Sequence, residues 1–191
     1  MEIDSSKTAL IVVDMQKGFC RPEGSLYSER SESVIQDIKK LLERFRDTDA
    51  TIIFTKDIHE RSFLTDNYDE FERWGRHLVR GSEGTEIVEE LKPVNPRVEE
   101  YVVEKGTYDA FFETNMNQIL RFNSIENVVV CGVLTNVCVM HTASSAALRD
   151  YMTVVVEDCT EALEEKHKEY ALDHVSWLFG QVVSSDSIEL D

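Results

Sequence analysis

Apolar side chains along this chain keep two rhythms. Short unbroken runs rich in Val and Ile occur at residues 8–13 (TALIVV), 51–55 (TIIFT), 128–131 (VVVC) and 152–156 (MTVVV), and further strands are expected at 98–104 (VEEYVVE) and 181–184 (QVVS). Runs of this kind, apolar on both faces and β-branched, predict central strands covered on both sides. Between them, apolar residues recur every three or four positions. Ile35, Ile38, Leu41, Leu42 and Phe45 give a helix over 33–46, and Val137, Met140, Ala143, Ala147 and Leu148 give one over 135–149. Similar spacing predicts helices over 85–91, 115–122 and 162–178. Strands alternating with helices, without hairpin signals, predict a three-layer α/β/α fold with a central, mostly parallel sheet of Rossmann-like type. One domain is expected to span residues 1–191. Two connections stand out: the Gly-, Pro- and Ser-containing loop after the first strand, and the long segment 56–84.

Composition narrows the function classes. Thirty-seven acidic against 20 basic residues give a formal charge of −17, which disfavours binding to phosphate backbones or anionic membranes. No apolar run approaches the roughly 18 residues of a membrane span. Cys20, Cys131, Cys138 and Cys159 form no C-x-x-C pair, so a disulfide framework is not expected and a reducing cytoplasm fits best.

Candidate chemistry sits at the predicted strand ends, which share one edge in an open parallel sheet. Asp14 ends the first run, Lys105 follows the third, and Cys138 falls in the first turn of the helix after the fourth. Unpaired N–H groups and the helix dipole there favour a thiolate. Asp57 and His59 follow the second strand, and Glu70 and His77 lie further along the same segment. Carboxylate and imidazole donors suit zinc, iron or manganese. Taken singly, these residues are equally a buried apolar cysteine, a surface lysine and the acids and histidines of an exposed loop.

Three segments together, VVDMQKGF around Asp14, VVEKGTYDAF around Lys105 and CGVLTNVCV around Cys138, resemble the Asp, Lys, Cys triad of the isochorismatase-like cysteine hydrolases. They stand in that family's order and span nearly the whole chain. The resemblance implies Cys138 as nucleophile, Asp14 as proton acceptor and donor, and Lys105 as the cation beside the thiolate. It also implies a cis peptide between Val133 and Leu134, with the backbone N–H groups of Leu134 and Cys138 as oxyanion donors. Trp74-Gly75-Arg76-His77 resembles the ligand segment of metal-dependent nicotinamidases, and Glu70 stands seven residues before His77, as in one branch of them. Thr65 occupies the position where another branch has histidine. The implied cofactor is a divalent metal on Asp57, His59, Glu70 and His77: zinc, with iron or manganese as alternatives. Phe19, Trp74 and Tyr108 would flank an aromatic substrate, with Phe111 near the pocket. The implied reaction is nicotinamide to nicotinate plus ammonia in NAD salvage, by a cytoplasmic homo-oligomer acting on a small-molecule amide. Competing expectations are an N-carbamoylsarcosine or ureido amidase of the same family, a metallohydrolase with an incidental Cys138, and a non-catalytic ligand-binding protein on this fold.

Overall fold

The computed structural model describes residues 1–60, 69–94 and 100–191. In chain order its strands are β1 (Glu2–Ile3), β2 (Thr8–Val13), β3 (Thr51–Asp57), β4 (Glu100–Lys105), β5 (Asn127–Val133), β6 (Met152–Glu161), β7 (Gln181–Val183) and β8 (Glu189–Leu190). Its α-helices are α1 (Lys17–Cys20), α2 (Glu29–Ser33), α3 (Ile35–Arg46), α4 (Asp69–Trp74), α5 (Met116–Phe122), α6 (Met140–Ala147) and α7 (Glu165–Leu178). Six strands form one sheet in the order β4-β3-β2-β5-β6-β7, every neighbouring pair parallel.

The period-two alternation of strand side chains divides the core between two faces. Leu10, Val12, Ile52, Phe54, Val129 and Val154 pack on one side with Ile38, Leu41, Leu42 and Phe45 of α3. Ile11, Val13, Ile53, Val128, Val130 and Val155 pack on the other with Ile119 and Leu120 of α5, Ala143 and Ala146 of α6 and Val175 of α7. Each large side chain so buried contributes about 1.5–3 kcal/mol. The outcome is the expected three-layer α/β/α architecture.

Several boundaries differ from expectation, each for a local reason. β3 runs through Asp57, which pairs with Lys105 of β4, and Gln16 caps its end: the Gln16 Oε1 accepts the Asp57 N–H (2.8 Å) and its Nε2 donates to the Asp57 carbonyl (2.9 Å). β5 and β6 also outrun their apolar cores, pairing through Val133 and Glu161 across an irregularity between Val130 and Gly132. The helix expected over 85–91 is replaced by two 3-10 turns, Glu83–Thr85 and Glu89–Leu91. There the backbone is drawn into a bridge between Ile87 and Gln16, and the Val88 N–H donates to the Met15 carbonyl. The segment after β5 begins as a π turn, Thr135–Val139, before α6. Its extra residue rotates the helix, so Val139, Thr142, Ala143 and Ala146 are buried while Leu148, expected in the stripe, is exposed. A second, two-stranded parallel sheet joins β1 to β8; two-residue strands carry no readable pattern. Thr65 and residues 98 and 99 lie outside the described residues, and no helix among those described is long and apolar enough to cross a membrane.

Candidate active site and metal centre

The carboxyl ends of β2, β3, β4 and β5 converge on one edge of the sheet. Gly132 makes the closest approach possible: at φ +110° it lies so near β2 that a Cβ would sit 2.1 Å from the Val13 carbonyl oxygen. Beyond it, the Val133–Leu134 peptide is cis, as the resemblance implies. Asp14 leaves β2 with φ +50°, and Thr55 of β3 holds it twice. The Thr55 hydroxyl donates to Asp14 Oδ1 (2.5 Å) and its oxygen accepts the Asp14 N–H (3.0 Å).

That arrangement turns Asp14 Oδ2 toward Lys105, the last residue of β4, whose Nζ is 2.7 Å away. The same ammonium lies 3.5 Å from Cys138 Sγ, donates to the Thr107 carbonyl (2.9 Å) and stands 3.9 Å from Asp57 Oδ1. Asp14, Lys105 and Cys138 therefore meet from three different elements. Both charged side chains are fully buried, which sets the electrostatics. Burial raises the proton affinity of Asp14 against the opposing pull of Lys105. Burial alone would lower that of Lys105, but Asp14 and Asp57 outweigh it and hold the ammonium charged. Burial also pushes the Cys138 thiol well above its ordinary value, and Lys105 only partly offsets this. Burial thus works against the thiolate expected at a helix amino terminus, and the Cys138 thiol stands beside a base of raised proton affinity.

Next to this cluster, Asp57, His59, Glu70 and His77 place one potential ligand atom each within 4.8 Å of one another, all four residues buried. β3 supplies Asp57, His59 follows it, Glu70 lies on α4, and His77 follows that helix. The His77 Nδ1 is 2.7 Å from the Gly75 carbonyl, leaving Nε2 to face the cluster. Phe71 of α4 packs edge-on against both imidazoles, with ring centroids 5.0 and 5.4 Å away. Among the described residues, Asp57 Oδ1 and His59 Nε2 are buried with no hydrogen-bond partner, an arrangement that costs free energy unless something else meets those atoms. Two imidazoles and two carboxylates are a donor set for a divalent cation, so the residues fit the implied metal. Burial raises the proton affinity of Asp57, but the nearby Lys105 ammonium and the imidazoles beside it outweigh that and lower it.

Cys138 and the metal cluster open on one cavity of about 380 Å³, lined in addition by Phe19, Trp74 and Tyr108. Phe111 does not line it; it is buried in the core, with Arg149 stacked over its ring (4.9 Å). Leu26, Tyr27, Leu134, Val137 and Leu163 complete much of the apolar wall. Sequence reasoning missed Leu26 and Tyr27, whose loop carries no periodic signal, Leu163, which falls inside the helix expected over 162–178 whereas α7 starts at Glu165, and Thr55, read only as the end of an apolar run. No Lys or Arg among the described residues lines the cavity, and neither Asp14 nor Lys105 reaches its surface.

The chain is similar to known proteins along most of its length. The family model for the isochorismatase domain matches residues 8–187. The ureidoacrylate amidohydrolase RutB of Caulobacter segnis is 28% identical over 202 residues, covering 94% of this chain and 83% of its own. Among solved structures, the N-carbamoylsarcosine amidase of Thermoplasma acidophilum is 33% identical with a TM-score of 0.81, covering 96% of this chain and 99% of its own. The pyrazinamidase of Pyrococcus horikoshii in complex with zinc is 27% identical with a TM-score of 0.83, covering 93% and 99%.

Proposed function

We propose, from the premise that the chain belongs to the isochorismatase family, that it hydrolyses a small, uncharged primary carboxamide through a thioester on Cys138, nicotinamide being the substrate that fits best. One observation carries the reading: a single cavity wall holds Cys138 together with Asp57, Glu70 and His77 of the metal cluster and, among the described residues, no lysine or arginine. Ureidoacrylate and N-carbamoylsarcosine, the substrates named for two relatives, bear a carboxylate that would find no cationic side chain among those described residues. Those relatives nevertheless favour a ureido-type amidase as the second reading. Pyrazinamide, the substrate named for the third, is a neutral azaaromatic carboxamide differing from nicotinamide by one ring nitrogen.

A divalent cation on Asp57, His59, Glu70 and His77 would supply a Lewis-acid anchor for a ring nitrogen. The chain's own groups do the rest. Phe19, Trp74 and Tyr108 offer aromatic surface to the ring. As Cys138 Sγ bonds to the carbonyl carbon, the thiol proton passes to Asp14, whose raised proton affinity suits it to receive it. Lys105 stays charged and stabilises the negative charge passing between sulfur and carboxylate. The backbone N–H groups of Leu134 and Cys138 face the oxyanion, each such donor contributing about 3 kcal/mol. Asp14 then returns the proton to the nitrogen as the C–N bond breaks, and ammonia leaves. Water adds to the thioester with its proton going to Asp14; the acid departs and the proton returns to sulfur.

The test is ammonia release from nicotinamide by metal-replete protein, metal-stripped protein and Cys138→Ala, with N-carbamoylsarcosine as a second substrate. We expect release from nicotinamide that falls by about 10⁴-fold or more in Cys138→Ala and disappears on stripping. No release by the metal-replete protein would sink the nicotinamide reading, and cysteine-dependent release from the carbamoyl compound would establish the second one. A Cys138→Ala protein that kept most of its activity would exclude the thioester.

A further inference from the structure

The cavity is larger than nicotinamide needs. A volume of about 380 Å³ belongs with clefts of roughly 300–1,000 Å³ that enclose drug-sized ligands, and nicotinamide has only nine heavy atoms. The surplus lies on a defined side. Asp57 ends β3, Cys138 follows β5 and Leu163 follows β6, in the sheet order β3-β2-β5-β6. At about 4.8 Å between strands, a ring anchored at the metal cluster with its carboxamide at Cys138 stops short of the β6 side.

Leu163 stands on that side, and Leu26, Tyr27 and Val137 add apolar side chains to the same cavity lining. None of them is fully buried in the absence of ligand, and Leu163 is 45% exposed. The Tyr27 hydroxyl is already engaged with Glu32 (2.7 Å), so its ring is what it offers to a ligand. The scissile nitrogen must turn toward Asp14 to be protonated. Because Asp14 and Lys105 do not line the cavity, no room opens beneath Cys138 for a substituent on that nitrogen. Whatever fills the surplus space therefore belongs to the acyl part of the substrate.

We propose that the preferred substrate is a primary carboxamide whose acyl part carries an apolar extension, seated against Leu26, Tyr27, Val137 and Leu163. This deepens the amidase reading and rests on it. Two substrate series separate the two ideas: pyridine-3-carboxamides with methyl to butyl groups on ring carbon 5, and straight-chain primary amides from propanamide to octanamide. Ammonia release by metal-replete wild type gives kcat/KM, and calorimetry on Cys138→Ala gives binding without turnover. Each methylene should raise kcat/KM by about fourfold until the space is filled, and Leu163→Asp, a change at an exposed position, should flatten that slope. A rise confined to the straight-chain series, with no pyridine amide cleaved, would uphold the apolar subsite while removing nicotinamide as the core structure. Chain-length independence in both turnover and binding would overturn the subsite, even where nicotinamide itself is cleaved.

Discussion

Asp14 owes its orientation to one hydroxyl. Thr55 is fully buried, and a hydrogen bond to a charged group is worth about 1.5–3 kcal/mol. Thr55→Val should therefore lower kcat by about 10- to 100-fold with KM little changed, and Thr55→Ser should recover most of the loss. An unaltered kcat in Thr55→Val would show that Lys105 alone orients the carboxylate. His77 carries a prediction of a different kind. Burial opposes its charged form, but Glu70 and the Gly75 carbonyl outweigh that and raise it above the ordinary 6.5. Protonated His77 accordingly stabilises the metal-free fold below pH 6.5, a contribution lost as pH rises through the raised folded value. A cation needs the neutral ring, so zinc affinity should fall with pH through a window beginning above 6.5, with proton release on binding. Titration calorimetry in buffers of different ionisation enthalpy checks this; equal affinity from about pH 5.5 to 8 would contradict it.

At the scale of elements, the strands were legible because β-branched runs have few alternatives, whereas their ends were not. β3 reaches Asp57 by pairing with Lys105 of β4, with Gln16, a side chain more than forty positions away in sequence, bonded to its end. The buried stripe of α6 was misread for a related reason: periodicity assumes 3.6 residues per turn, and the π turn Thr135–Val139 breaks that count just before the helix. Asp57, His59, Glu70 and His77 could be read as one set only through the family resemblance, and the cavity wall at Leu26, Tyr27 and Leu163 could not be read at all, since it exists only where separate loops meet. The approach of β5 to β2 is likewise invisible until both are placed, and it makes Gly132 irreplaceable. Gly132→Ala, with a Cβ 2.1 Å from backbone oxygen and φ +110°, should cost more than about 3 kcal/mol in urea unfolding. Gly81→Ala, also at positive φ but with nothing within 4 Å of its Cβ, should cost about 1 kcal/mol.

For the molecule as a whole, the charge of −17 sets up a field that repels anions over a Debye length of about 10 Å at 0.1 M salt. In the proposed reaction a neutral carboxamide, nicotinamide, gives an anion, nicotinate, so that field would oppose the product and not the substrate. Raising salt from about 20 to 200 mM should tighten product inhibition by nicotinate while leaving the KM for nicotinamide unchanged. Inhibition that is indifferent to salt would show that the field does not reach the cavity.

The closed floor beneath the cavity has a practical corollary. Of the four cysteines, Cys138 alone opens on that space, while Cys20, Cys131 and Cys159 are fully enclosed. A thiol-directed label small enough to enter would mark one sulfur per chain, and its stoichiometry would count competent molecules. Rates could then be stated per working centre instead of per milligram of protein.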